Sequence, residues 1–414
     1  MTVLIVGAGI GGLTAALMLH QRGMKSLIVE QAPKLSEVGV GINMLPHSVA
    51  ELAELDILDR LDEVGLRTRE LRYLTRRGQE VWRELRGKGA GHDYPQFSIH
   101  RGRLQKVLYD AVVERLGKEA VLTGLRLSGF QQSEADITAH FVDTKDGETT
   151  LTLRSEVLVC ADGIHSVGRR RFHPNEGRPS WDGVVMWRGA VDWPIWEDGE
   201  TMAIAGGMTG KFVLYPIAPP KDGKQLMNWV VNVRIADGKT SPPPPDSWSR
   251  KAPLSKVLPY AKRFNIPDLD IDAMVRATPA IFEYPMADRD PLSLWTHGRI
   301  TLLGDAAHPM YPVGSNGAAQ AILDARCLSD ELVSAEHPRE ALYRYEQERL
   351  PKTAEVVCAN RIGGPERIID EVEKLSPSQF DNIDDVLSYE SRKAIVKGYA
   401  KVAGFANRDT SSPA

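Results

Sequence analysis

The sequence predicts an α/β protein: a parallel sheet with flanking helices, interrupted by an inserted antiparallel sheet and closed by C-terminal helices. Three observations predict it. The stretch Thr2 to Leu19 passes from an apolar, mostly β-branched run into glycines and then into helical periodicity. Residues 181 to 235 contain four alternating runs (184–191, 201–205, 211–217 and 227–235) and five of the eight tryptophans, Trp181, Trp187, Trp193, Trp196 and Trp229. From Ala318 the pattern is helical over 318–334 and 339–360, and more weakly beyond Pro365.

The N-terminal element organises the rest. Val3 to Val6 suit a strand buried on both faces, and Gly7-x-Gly9-x-x-Gly12 follows at once. Leu13, Ala16, Leu17 and His20 then recur at helix spacing until Gly23, and a second apolar run, Ser26 to Val29, closes on Glu30, eighteen residues after Gly12. Gly7 permits a tight turn, Gly9 lets a pyrophosphate approach the backbone, and Gly12 lets the helix lie close on the strand. The helix N-terminus offers unpaired N–H groups and a positive dipole end to phosphates. Glu30 stands where a carboxylate accepts hydrogen bonds from a ribose diol. A glycine-rich turn without a ligand would need none of these flanking parts in order, so a Rossmann-like unit holding an ADP-containing dinucleotide is predicted.

Composition narrows the class. In 414 residues, 42% hydrophobic and 26% charged, a soluble globular protein is expected. A net charge of −4 gives no basic face for nucleic acid. Cys160, Cys327 and Cys358 are scattered, with neither metal-ligand spacing nor a disulfide framework, which points to a reducing, cytoplasmic setting. The apolar N-terminus lacks the basic start of a secretion signal, and no run reaches the length of a membrane span.

Along the chain, Val38-Gly-Val-Gly-Ile-Asn43 reads as a second glycine turn and Pro46 to Leu55 as a helix. A hairpin is predicted over 69–84 around Gly78, then a strand from Phe97 running into a helix to Leu116. Val121 and Leu122 start another strand, and 137–142 and 149–153 form a hairpin about Asp146-Gly147. Glu156 to Gly163 reads as a buried strand ending in Asp-Gly, Pro242 to Pro245 as an exposed loop, 254–264 as helical, Ile281 to Tyr284 as a strand leading to Pro285, and 406–414 as a frayed tail.

A second element names the cofactor. The strand Ile300 to Leu303 is followed by Gly304-Asp305, a loop with Pro309 and Pro312, and a helix starting near Gly314. An Asp there can hold a ribityl hydroxyl, and the helix start can direct N–H groups at a flavin's pyrimidine edge. With the N-terminal site filled by ADP, this second site suits FAD.

The fingerprint at Gly7 to Gly12, the Cys160-Ala-Asp-Gly163 element and the Gly304-Asp305…Pro312…Gly317 element resemble, in order, the three signatures of the class A flavoprotein aromatic hydroxylases, FAD monooxygenases of the para-hydroxybenzoate hydroxylase fold. The likeness spans residue 2 to about 360. Val38 to Asn43, Tyr94 to Gly102, Met186-Trp-Arg-Gly189 and Tyr284 to Pro291 look like the phenazine-modifying branch, which includes an enzyme acting on 5-methylphenazine-1-carboxylate.

The resemblance implies that Gly7, Gly9, Ile10, Gly11 and Gly12 surround the FAD diphosphate, Glu30 with Gln31 the adenosine ribose, and that Arg101 pairs with the diphosphate. Val40 and Gly41 would pass beside the isoalloxazine, Asp162 would touch the flavin and nicotinamide regions, and Asp305, Gly317 and Ala318 would complete the site. It implies a Rossmann-like FAD-binding domain (1–70, 95–180, 290–335), a substrate-binding sheet domain (71–94, 181–289) and C-terminal helices (336–414). In such enzymes NADH or NADPH reduces FAD, and O2 adds to give a flavin hydroperoxide that attacks an aromatic, phenazine-like or otherwise polycyclic or carboxylated, small molecule. No catalytic side chain and no metal are expected, and the protein would be a monomer or homodimer. His308 reads as a loop-packing residue rather than a base. Tyr215, Trp229 and Pro312 are candidate substrate walls, with core packing an equal reading for the aromatics. A flavin reductase or oxidase of the same fold and a flavin-binding protein without turnover remain alternatives; oxygen insertion and NAD(P)H consumption separate them.

Overall fold

A computed structural model describes residues 1–402 except 36, 38 and 238–249. The proline run at 242–245 and the tail at 406–414 lie outside the described residues, as does part of the turn at 38–43. A five-stranded parallel sheet runs in the order Ile300–Leu302, Val157–Cys160, Thr2–Val6, Lys25–Glu30, Val121–Thr123. Its strands are short and apolar because helices cover them: Ile10–Gln21 packs on Asn316–Ser334 and Arg101–Leu116, and Ile5, Leu13, Leu17, Leu158 and Leu302 are buried between. The first helix begins at Ile10, three residues before its apolar periodicity, because Gly11 and Gly12 already occupy its first turn.

An eight-stranded sheet lies alongside, in the order Arg250–Lys251, Ile281–Asp288, Ser180–Pro194, Lys224–Arg234, Gly210–Pro216, Thr201–Ala205, Glu70–Leu74, Glu80–Leu85. Its pairs are antiparallel except that between Thr201–Ala205 and Glu70–Leu74, which joins the early hairpin to the later strands in one sheet. One face packs under the helices Leu254–Ala261 and Ile271–Ala277 through Trp187, Phe212, Leu214, Trp229 and Val231. The alternate residues face the other way, Val213, Tyr215 and Val230 toward a cavity and Leu71, Tyr73 and Met202 toward the helix Arg367–Leu375.

Two strands depart from the sequence expectation. Ile281–Asp288 continues through Pro285, where its neighbour Arg250–Lys251 no longer covers it and the pairing with Ser180–Pro194 shifts register. A proline is tolerated at such a free, irregular edge. Leu125–Gln132, which the sequence pattern does not announce, adds a third strand to the hairpin Ile137–Asp143 and Thr150–Ser155. A three-stranded sheet of Gly41–Met44, Gln96–His100 and Gly65–Thr68 links the two larger sheets. The helix Pro338–Ile362 and the shorter Arg367–Leu375 and Tyr389–Val402 close the chain, with Ile368, Ile369 and Val372 packing on Leu71, Tyr73 and Met202. Among the described residues no helix is long and apolar enough to cross a membrane.

Candidate active site

Parallel strands deliver their carboxyl ends to one edge of a sheet, where α/β proteins bind ligands. The glycine fingerprint follows Thr2–Val6, Glu30 ends Lys25–Glu30, Ala161 and Asp162 follow Val157–Cys160, and Gly304-Asp305 follows Ile300–Leu302. Segments separated by up to three hundred residues therefore meet. They open on a cavity of about 440 Å³, walled on its far side by the inward face of the eight-stranded sheet.

The fingerprint has the close geometry that its residue types require. Gly7 has φ of +107°, and a Cβ on Gly12 would lie 2.1 Å from the Gly7 carbonyl oxygen, so the helix can pack this closely only without a side chain there. A Cβ on Gly9 would meet no protein atom within 4 Å, and Gly9, Ile10 and Gly11 line the cavity. Glu30 accepts from the backbone N–H of Ala8 at 2.7 Å and of Ala32 at 2.8 Å, tying the fingerprint turn to the end of the second strand; Gln31 beside it is exposed. Arg101 opens its helix, and its N–H donates to the Val40 carbonyl at 2.9 Å. Its guanidinium is exposed at the cavity with no partner among the described residues. Val40 itself is buried, outside the lining.

On the opposite side Asp305 is exposed and lines the cavity, and the helix starts at Asn316 behind Ser315, whose φ is +61°. Gly317 and Ala318 also line it, and a Cβ on Gly317 would meet nothing within 4 Å. Asp162 sits back from the wall; burial pushes its carboxyl above the usual range, opposed by Ser166 and by the N–H of Val167 at 2.7 Å. Among the described residues its second oxygen is buried without a partner. Open space over Gly9 and Gly317, with Arg101 and Asp305 facing it and neither side chain bonded among the described residues, fits an FAD.

Gly41 is the junction of the two sheets. Its carbonyl accepts from Tyr215 Oη at 2.8 Å and from Arg188 Nη2 at 2.5 Å, and its N–H donates to Asn228 Oδ1 at 2.8 Å. A Cβ there would meet Tyr215 and Ile217 at 2.7 Å, so only glycine allows this approach. Tyr215 and Pro312 line the cavity. Trp229 does not, which corrects its place as a wall residue: it is wholly buried on the opposite face and donates its indole N–H to Thr278 Oγ1 at 2.8 Å. Its neighbours Val230 and Asn232 face inward instead. His308 is buried, 2.5 Å from Asp324, which also accepts from Arg349 Nε at 2.8 Å and from the Gly304 N–H at 3.1 Å. This network braces the Asp305 turn from behind.

Several lining residues escaped the sequence reading. Arg188 lies in the quoted Met186 to Gly189 motif but carried no assigned role there. Lys211 and Glu366 form a buried ion pair within the wall, 155 positions apart, and Arg86 enters from beyond the hairpin. No local pattern marks any of the three.

The fold and this edge define a dinucleotide-binding α/β protein whose cofactor crevice opens on a sheet-walled cavity. Residues 1–360 match the family described as FAD binding domain, and the chain belongs to that family. It is 43% identical over 364 residues (87% of this chain, 89% of the other) to the phenazine 1,6-dicarboxylic acid hydroxylase PhzS of Lysobacter antibioticus. It is 31% identical over 371 residues (88% and 89%) to the aurachin C monooxygenase/isomerase of Stigmatella aurantiaca. In fold it is similar to HpxO of Klebsiella pneumoniae complexed with FAD and uric acid, with a TM-score of 0.74, 21% identity and coverage of 98% and 96%. The protein is an FAD-dependent aromatic monooxygenase.

Proposed function

We propose that the substrate is a fused-ring aromatic acid of the phenazine type, oxidised with NADH or NADPH and O2. The observation that carries this reading is the cavity wall. Leu71, Met186, Met202, Ile204, Val213 and Val230 project from five neighbouring strands of one sheet face, giving apolar surface suited to a flat ring, with Tyr73, Arg188, Lys211, Tyr215 and Asn232 as the polar groups on the same face. The likeness to a phenazine dicarboxylic acid hydroxylase over most of both chains supports it.

The site roles follow from chemistry. The amides at the start of Ile10–Gln21 and the Arg101 guanidinium receive the diphosphate, and Glu30 with Gln31 the ribose. Asp305 takes a ribityl hydroxyl, while the first amides of Asn316–Ser334 at Gly317 and Ala318 stabilise negative charge on the pyrimidine edge. Bound FAD supplies the redox chemistry that activates oxygen toward the ring. Tyr215, Arg188 and Asn228 fix Gly41 beside it, and Tyr311 and Pro312 cover the ring and exclude water. The protein should be yellow and release its flavin on denaturation. In a screen of bicyclic and tricyclic aromatic acids, at least one should raise NAD(P)H oxidation about tenfold or more and yield a product carrying one oxygen atom from O2. Acceleration by single-ring acids alone would overturn the fused-ring assignment, and NAD(P)H oxidation without product oxygen would favour a reductase or oxidase.

A further inference from the structure

We infer that Arg86 selects substrates by a carboxylate on the aromatic ring, an assignment that rests on the hydroxylase reading above. Among the described residues four cationic side chains line the cavity, Arg86, Arg101, Arg188 and Lys211, against the two carboxylates of Asp305 and Glu366. Three of the four are engaged or accounted for. Lys211 is paired with Glu366, and Arg101 stands at the mouth of the fingerprint helix where a diphosphate belongs. Arg188 is committed by position, its Nη2 donating to the Gly41 carbonyl, although its Nε too is buried with no partner among the described residues.

Arg86 is different. One corner of its guanidinium is fixed from behind: Nη2 contacts Glu84 and donates to Tyr73 Oη at 3.1 Å, and Tyr73 in turn donates to the same Glu84 carboxylate at 3.0 Å. Glu84 is outside the cavity lining, so this pair orients the arginine without filling the space before it. Among the described residues Nε is buried with no partner, and no hydrogen bond engages Nη1. Nε is closed off from the cavity, so an arginine held at Nη2 keeps Nη1 as its donor for a carboxylate at little entropic cost. Burial works against its charge, but Glu84, Tyr73 and Glu366 more than restore it, so it stays protonated.

Position agrees with chemistry. The Gly41 carbonyl is bonded by Tyr215 on Gly210–Pro216, whereas Arg86 follows the edge strand Glu80–Leu85, three places further across the sheet. At about 4.8 Å per strand that is roughly 14 Å, less the reach of the side chain back toward Tyr73. A fused ring can span this interval with its acid at Arg86 and its reacting edge near Gly41, which one small ring cannot.

The test uses FAD-loaded protein and two matched pairs: phenazine-1-carboxylate against phenazine, and 1-naphthoate against naphthalene. Dissociation constants are read from the perturbation of flavin absorbance, and NAD(P)H oxidation is followed in parallel. Wild type should bind the carboxylated member on the order of 10- to 100-fold more tightly. Arg86→Gln should lose that preference while the neutral rings shift by less than about twofold. Arg86→Lys, which keeps a charge beside Glu84 without the fork, should narrow the preference without abolishing it, and it serves if the Gln variant does not hold FAD. Equal weakening of both members of a pair would show Arg86 to be merely structural. A preference that survives in the variants, or is absent from wild type that responds to the rings, would overturn the assignment of Arg86 alone. Wild type silent toward all four compounds would overturn the substrate reading itself.

Discussion

Glu30 accepts from two backbone amides, those of Ala8 in the fingerprint turn and Ala32 beyond the strand. A glutamine there can accept only one of them with its single oxygen and would turn its amide group on the other. Glu30→Gln should therefore lower FAD affinity on the order of tenfold, about 1.4 kcal/mol, with rates at saturating FAD little changed; equilibrium dialysis of the apoprotein measures it. His47, mostly buried, has its pKa lowered from 6.5 to about 4, first by burial and then by the charges of Arg349 and His92. The unfolded chain binds this proton more readily than the folded one, so the stabilisation is complete above pH 6.5 and is lost as pH falls toward 4. It amounts to roughly 3 kcal/mol. Melting temperatures at pH 7.5 and 5 should differ less in His47→Gln than in wild type.

At the scale of the element, the strand Lys224–Arg234 serves two environments. Trp229 and Val231 pack under the helices, and Val230 and Asn232 face the cavity. Trp229→Ala should cost about 3–5 kcal/mol of stability, through the hole it leaves, and hardly alter ligand binding in protein that still folds. Val230→Phe should do the reverse, leaving the melting temperature within a few degrees while raising the substrate dissociation constant severalfold. A parallel effect of both on stability would mean that the faces are misassigned. The same alternation places Tyr215 with Val213 and Lys211 on the inner face of the neighbouring strand, opposite Phe212 and Leu214.

For the molecule as a whole, the parts meet at a few long-range contacts. Gly41 joins the cofactor side to the sheet, and the Lys211–Glu366 pair joins the sheet to the C-terminal helices, with Glu366 six residues past the end of the family match. Glu366→Leu would leave an ammonium buried without a partner and should destabilise by about 3–5 kcal/mol, whereas Lys211→Met with Glu366→Leu should recover most of that loss. Urea denaturation of the two variants decides it. If the single variant is as stable as wild type, the pair does not hold the C-terminal segment in place.

Features that depend on neighbouring residues alone could be read directly from the chain. The glycine fingerprint, its helix and Glu30, the Asp162 turn and the Gly304-Asp305 turn are each short and chemically specific, and parallel strands bring their ends together with no further instruction. The strands of 180–234 were legible from their alternation within a few residues. Which face each would bury was not, because both faces of this sheet are covered, one by helices and one by the site. In the run Met227-Asn-Trp-Val-Val-Asn-Val233 the two asparagines share the face of Val230, but alternation separates the faces without saying that the more polar one lines a cavity rather than meeting solvent, and only the fold decided that. Likewise Arg86, Lys211 and Glu366 are ordinary charged residues in their local sequence. Their meeting in one wall is set by the parallel pairing of Thr201–Ala205 with Glu70–Leu74 and by the packing of Arg367–Leu375 on the sheet, contacts between distant segments that no local pattern encodes.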